Sequence, residues 1–213
     1  MEMQYFKDYS PALGREMECK VYGHAGRPML YIPCQDGRFF DFEDFHMADT
    51  LAPWIESGQV MVLSIDTIDK ETWSDTNSDP YWRIRRYEQW IRYIVEEAVP
   101  KIRHIARERN GWNDEPGVIA FGCSLGATHA VNLYLRFPNI FCGCLASAHL
   151  HCPLRLRRLY GRAGLYELPG GLHGQLPGGS PLYGAVSEPE GRHLLRSGRL
   201  GAAGHHLVSQ AHL

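Results

Sequence analysis

Val118-Ile119-Ala120-Phe121-Gly122-Cys123-Ser124-Leu125-Gly126 is the stretch of sequence that decides the fold. Its first four residues are apolar, as in a short buried strand, and they lead directly into a serine flanked by glycines. Apolar residues then recur at helical spacing as far as Pro138, and 140–147 is again typical of a strand. The order strand, tight turn, helix, strand predicts an α/β protein with a mainly parallel sheet.

The pattern Gly122-x-Ser124-x-Gly126 is typical of a nucleophile elbow, a sharp turn that exposes a serine at the end of a sheet. Glycines two residues before and after the serine relieve the crowding that such a turn creates. We therefore interpret Ser124 as a catalytic nucleophile, and the backbone N–H of Leu125 as one donor to an oxyanion. The alternative is a glycine-rich turn with a structural serine.

Further strands and helices are predicted on the N-terminal side of this motif. Residues 17–22 alternate like an edge strand, whereas 29–33 and 60–65 are short apolar runs typical of inner strands. A helix is expected over 42–57, ending at Gly58, and a longer one over 81–109, ending at Gly111. Pro100 lies inside the longer pattern and predicts a kink.

Three stretches, 30–40, 51–55 and 122–130, resemble a bacterial esterase branch of the α/β-hydrolase superfamily, related to esterase D. The resemblance covers about residues 1–150. It implies a mostly parallel sheet with flanking helices and a serine esterase that forms an acyl-enzyme on Ser124. It also implies that the loop after the 29–33 strand supplies the second oxyanion donor, near Gln35 or Asp36. We carry Gln35 forward as the candidate.

The composition changes abruptly near residue 150. Residues 151–213 contain 12 Gly and 13 Leu but no Ile, Phe, Trp, Met, Asp, Asn, Lys or Thr. We therefore divide the chain into a hydrolase core, 1–150, and an atypical tail, 151–213, rich in Gly, Leu, Arg, Pro and His. We expect poor order in much of 160–213, because so few large apolar residues do not offset chain entropy. One hypothesis is that the tail is translated out of frame and replaces the last strands of the sheet; a genuine low-complexity tail is the alternative.

The superfamily's catalytic acid and base follow the serine in the chain, and neither is identifiable here. No Asp follows Ser124, and the histidines after it lie in no recognisable strand-and-loop context. His129, five residues after Ser124, should point away from its hydroxyl and serve in packing or hydrogen bonding. Activity of this chain is therefore doubtful. An acyltransferase of the same fold and a non-catalytic hydrolase-fold binding protein are the alternatives. The only later carboxylates are Glu167, Glu188 and Glu190.

The resemblance implies a small-molecule ester as the substrate, and the composition indicates no further partner. The net charge of −2 gives no reason to expect nucleic acid or an anionic membrane, and the oligomeric state is open. No cofactor or metal is expected; the pair His205-His206 lacks further ligands. We expect the six cysteines to be reduced and the location to be cytoplasmic, since no secretory signal begins the chain. Asp66 is interpreted as a loop or substrate-pocket residue, and the cluster Arg83, Arg85 and Arg86 as a solvated helix face.

Overall fold

A computed structural model describes residues 1–147 and shows a six-stranded sheet in the order β1-β2-β4-β3-β5-β6. The predicted tail, 151–213, lies outside the described residues, and so do the strands expected to be missing or replaced there. The strands are β1 (Met3–Ser10), β2 (Arg15–Tyr22), β3 (Arg27–Ile32), β4 (Val60–Ile65), β5 (Val118–Cys123) and β6 (Phe141–Ser147).

The four strands from β3 to β6 are parallel, which confirms the mainly parallel sheet. The prediction that the strand at 17–22 lies at the edge of the sheet is wrong. It pairs antiparallel with β4 on one side and along its whole length with β1 on the other, from Met3 opposite Tyr22 to Ser10 opposite Arg15. The outer strand, β1, is almost entirely exposed, so its sequence carries no burial pattern that would have predicted it.

The helices fall close to the predicted ranges, but each of the two helices expected before Ser124 is divided into two shorter ones. They are α1 (Asp41–Asp44), α2 (Met47–Glu56), α3 (Pro80–Tyr93), α4 (Val99–Asn110) and α5 (Leu125–Arg136). The single helix expected over 42–57 is interrupted at His46, whose φ of 56° is left-handed. The long helix is interrupted by a π-helical turn, Ile94–Ala98, directly before Pro100, and it ends as predicted at Gly111, with φ of 64°.

Helices cover both faces of the sheet, as an α/β-hydrolase arrangement requires. On one face, residues of α3, α4 and α5 such as Trp90, Ile102 and Leu133 pack into the larger core. On the other, Phe42 and Ile55 from α1 and α2 pack against Tyr31 of β3. None of the helices in the described part of the chain is long and apolar enough to cross a membrane.

Candidate active site

The carboxyl ends of the four parallel strands meet at one edge of the sheet, the edge where α/β proteins place their ligands. Ile32 at the end of β3 is aligned with Gly122 of β5, and Cys123 is aligned with Ser147 of β6. The turn that follows β3 and the serine that follows β5 are therefore neighbours. The sequence predicted both segments, and the topology brings them together.

Ser124 occupies the turn between β5 and α5 with φ of 55° and ψ of −121°. A positive φ is rare for a residue with a side chain and is retained where the surroundings enforce it. Its own N–H donates to the carbonyl oxygen of Ser147 at 3.0 Å, which fixes the turn against β6. Ser124 is half-buried, so this strained turn leaves part of the residue accessible.

The two glycines are required by close backbone approaches. A Cβ atom on Gly122 would stand 2.4 Å from the carbonyl oxygen of Gly126, across the turn. A Cβ atom on Gly126 would stand 2.2 Å from the carbonyl oxygen of Pro33 and 2.3 Å from that of Ile32. The turn from Gly122 to Gly126 is thus packed directly against the end of β3.

Helix α5 begins at Leu125, immediately after the serine. The first N–H groups of a helix have no partner within it, and the helix dipole adds partial positive charge there. Leu125 is buried, so its N–H group lies in a setting with little competing water. Negative charge on an oxygen beside Ser124 would be stabilised at this point.

Residues 34–37 form a tight turn directly after β3. The N–H of Gly37 donates to the carbonyl oxygen of Cys34 at 3.0 Å, and the third residue of the turn, Asp36, has φ of 62°. The N–H of Asp36 donates to Asp69 Oδ2 at 3.1 Å, so it is engaged inside the protein. Gln35 is exposed, and its side-chain amide donates to Ser74 Oγ at 2.7 Å.

Asp66 follows β4 and hydrogen-bonds to Arg38 and Phe39, which come directly after the 34–37 turn. Its Oδ1 accepts from the Phe39 N–H and from Arg38 Nε, both at 2.9 Å. Burial raises the pKa of Asp66, although the Arg38 hydrogen bond opposes the shift. A cleft of about 370 Å³ opens here, lined by Asp36, Arg38, Asp66 and Lys70 among others, which agrees with Asp66 as a pocket residue.

Cys123 stands directly before the serine but is a poor rival nucleophile. Burial raises the pKa of its thiol, which keeps the thiol protonated at neutral pH. The described cysteines are free thiols, at positions 19, 34, 123, 142 and 144. Within residues 1–147, no cluster of three or more His, Cys, Asp or Glu side chains is arranged to hold a metal ion.

The prediction that the arginine cluster is a solvated face is wrong for Arg83. Arg85 is exposed, but Arg83 is buried, and its Nη1 donates to the carbonyl oxygen of Asp75 at 2.6 Å. Arg86 is half-buried and donates through Nε to Glu71 at 2.7 Å. The guanidinium groups of Arg83 and Arg86 donate hydrogen bonds to a backbone carbonyl and a carboxylate of the 69–79 loop. The spacing of charges along a helix does not reveal such a role.

No histidine in residues 1–147 is hydrogen-bonded to Ser124. His129 is fully buried and bound to Asp69 and Tyr87, which confirms the expected hydrogen-bonding role. His24 lies at the opposite end of the sheet beside Gly58, and His46 and His104 are exposed on the helical layers. The sequence reasoning missed Asp69, because a single carboxylate in a loop carries no periodic pattern.

The sequence profile of the family described as "Putative esterase" matches residues 10–201, beyond the 150 residues of the resemblance. No curated protein matches the sequence.

Solved structures share the fold at low sequence identity. An S-formylglutathione hydrolase from Agrobacterium tumefaciens superposes with a TM-score of 0.52 at 20% identity over 71% of this chain and 59% of its own. A ferulic acid esterase gives a TM-score of 0.54 at 14% identity, over 75% and 66%. An IroE-like serine hydrolase from Shewanella oneidensis gives 0.51 at 17% identity, over 74% and 55%. The chain spans less than two thirds of the length of each.

Proposed function

The chain belongs to the Putative esterase family, and from this premise we propose that it is a serine esterase acting on small carboxylic esters. The observation that carries the proposal is the backbone of Ser124. Its φ of 55° is enforced between two glycines that tolerate no Cβ, at the carboxyl end of the sheet and the start of a helix. A merely structural serine needs no such position.

In the proposed reaction, Ser124 Oγ attacks the ester carbonyl while a general base takes its proton. The N–H of Leu125 and that of Gln35 stabilise the oxyanion, and collapse of the tetrahedral intermediate expels the alcohol, which takes up the proton. Water then attacks the acyl-enzyme and releases the acid. Of the two turn residues, we assign Gln35 because the N–H of Asp36 is donated to Asp69. The charged cleft around Arg38 and Lys70 is lined by neither Ser124 nor Leu125, so the proposed reaction does not use it.

In this proposal the general base comes from beyond residue 147, since the histidines before it are placed elsewhere, and the superfamily's chain order places the acid partner after Ser124 as well. The sequence offers seven histidines there, at 149, 151, 173, 193, 205, 206 and 212, and three glutamates, at 167, 188 and 190. Without a base, an unactivated serine hydroxyl is a weak nucleophile.

A second candidate is a hydrolase-fold protein that binds a ligand without hydrolysing it. One observation favours it: no Asp follows Ser124 in the sequence, whereas the superfamily places its acid there. In this case the charged cleft would bind the ligand, and Ser124 would be retained from a catalytic ancestor without taking part in a reaction.

Pre-steady-state hydrolysis of p-nitrophenyl acetate tests the proposal. An esterase releases p-nitrophenol with turnover, preceded by a burst equal to the enzyme concentration where deacylation is the slower step. The release is lost in Ser124→Ala and kept in Ser57→Ala, an exposed serine. With added methanol, an acyltransferase would form methyl acetate in preference to acetate. A wild-type chain that releases p-nitrophenol no faster than Ser124→Ala contradicts the esterase and favours the binding protein.

A further inference from the structure

A buried hydrogen-bonded relay joins the turn after β3 to the helix that follows Ser124. Asp69 Oδ2 accepts from the N–H of Asp36 at 3.1 Å, and Asp69 Oδ1 lies 3.2 Å from His129 Nε2. Asp69 is 2% exposed and His129 0%. One carboxylate therefore bridges two segments that are far apart in the sequence.

The partners of the His129 ring fix the direction of the relay. Nδ1 lies 3.1 Å from the hydroxyl of Tyr87, which also accepts from Asn132 Nδ2 at 3.0 Å. A carboxylate accepts only, so Nε2 must carry the proton toward Asp69. In a ring that carries only this proton, Nδ1 accepts from the Tyr87 hydroxyl.

Aromatic rings hold His129 in this orientation. The ring centroids of Trp90, Tyr87 and Trp73 lie 4.9, 5.5 and 5.6 Å from that of His129. The imidazole is thus enclosed on several sides and has no room to turn toward Ser124. This packing argues against a general-base role for His129. It also holds the ring in contact with Asp69, and so keeps Asp69 at a fixed distance from α5.

The two segments that the relay joins are those that carry the proposed oxyanion donors. Helix α5 starts with Leu125, and Gln35 stands next to Asp36 in the turn. Donors of this kind act only when both point at the place where the oxyanion forms. Resting on the proposed esterase function, we propose that Asp69 and His129 are positioning residues that hold the turn of Gln35 and Asp36 in register with the N-terminus of α5.

Two observations show why the turn needs such a tether. Asp36 has a left-handed backbone, with φ of 62°, which costs free energy unless neighbouring contacts enforce it. Its side chain is held as well, because Ser74 Oγ donates to Asp36 Oδ1 at 2.7 Å. The 69–74 segment therefore holds both the backbone and the side chain of Asp36, and His129 anchors that segment to α5.

Variants of His129 with and without a donor provide the test. Gln places an amide nitrogen where the ring carries Nε2 and can still donate to Asp69, whereas Leu fills the space without donating. We expect His129→Leu to raise the hydrogen-exchange rate of the Asp36 amide and to lower kcat for p-nitrophenyl acetate, each about tenfold, with KM within about twofold. His129→Gln should restore most of both losses. His104→Leu, at an exposed helical position, is the matched control.

The outcomes separate this inference from the proposed function. If the wild-type chain hydrolyses the ester through Ser124, unchanged kcat in a folded His129→Leu overturns the positioning role, as does failure of His129→Gln to recover. If the wild-type chain shows no hydrolysis that depends on Ser124, the esterase proposal fails, and hydrogen exchange of the Asp36 amide alone decides the tether. An increase in His129→Leu that is reversed in His129→Gln supports the tether, and unchanged exchange overturns it. If His129→Leu does not fold, Asp69→Asn, compared with Asp49→Asn, takes its place.

Discussion

Gly126 lies so close to the end of β3 that a Cβ atom on it would stand 2.2 Å from the carbonyl oxygen of Pro33. Gly126→Ala must therefore push the nucleophile turn away from β3. We expect a loss of about 3 kcal/mol in the free energy of unfolding, measured by urea denaturation. The control is Gly143→Ala in β6, where the nearest atom would be 3.6 Å away and the change should be neutral or slightly stabilising. Equal losses in the two variants would contradict the close approach.

Glu71 gives a pH-dependent prediction. Burial alone would raise its pKa, but hydrogen bonds from Arg86 and Arg15 outweigh burial and hold the pKa below its ordinary value. An acid whose pKa is lower in the folded chain stabilises that chain above its unfolded pKa of roughly 4.3, and this contribution is lost as the pH falls through the folded value. Glu71→Gln should therefore cost about 1 kcal/mol at pH 7 and less as the pH approaches 3.

The measurement is urea denaturation of wild type and Glu71→Gln at several pH values between 7 and 3. Glu108→Gln, whose side chain is 62% exposed, is the control and should show little difference at any pH. A cost for Glu71→Gln that stays constant across this range would show that the lowered pKa is not the cause.

Arg83 and Arg85 form a matched pair for a third test of stability. Arg83 is buried and donates from Nη1 to the carbonyl oxygens of Asp75 and Thr72, at 2.6 and 3.4 Å, while Arg85 is exposed. A lysine at position 83 is shorter, so its ammonium does not reach the position of Nη1, and it is more strongly hydrated than a guanidinium, so its burial costs more. We expect Arg83→Lys to lower the melting temperature by several degrees, corresponding to about 2 kcal/mol, and Arg85→Lys to leave it unchanged. Similar effects in both would contradict the burial of Arg83.

The fold was predictable where burial leaves a pattern in the sequence. The inner strands β3, β4 and β5 are short apolar runs between turn residues. Gly111 ends α4 in a left-handed conformation, which glycine adopts readily. Strand β1 was not predicted, because exposed residues on an outer strand are chosen for solubility rather than burial. The interruption at His46 was equally invisible, since a single left-handed residue leaves the apolar spacing on both sides intact.

The candidate site was predictable only in its backbone parts. The glycines around Ser124 encode the turn locally, so sequence alone located the serine and the helix start. The tether from Asp69 to Asp36 and His129 depends on three segments that meet only after folding. Asp69 therefore looked like an ordinary loop residue, although His129 was already expected to be hydrogen-bonded. The order of the 151–213 tail stays a prediction, since it lies outside the described residues.

The proposed function depends on Ser124 being a nucleophile held ready by its turn. Incubation with a fluorophosphonate, followed by peptide mass spectrometry, tests this role. We predict one adduct per chain, on the peptide containing Ser124, and no adduct in Ser124→Ala. An unlabelled wild-type chain, or equal labelling of wild type and Ser124→Ala, would contradict it.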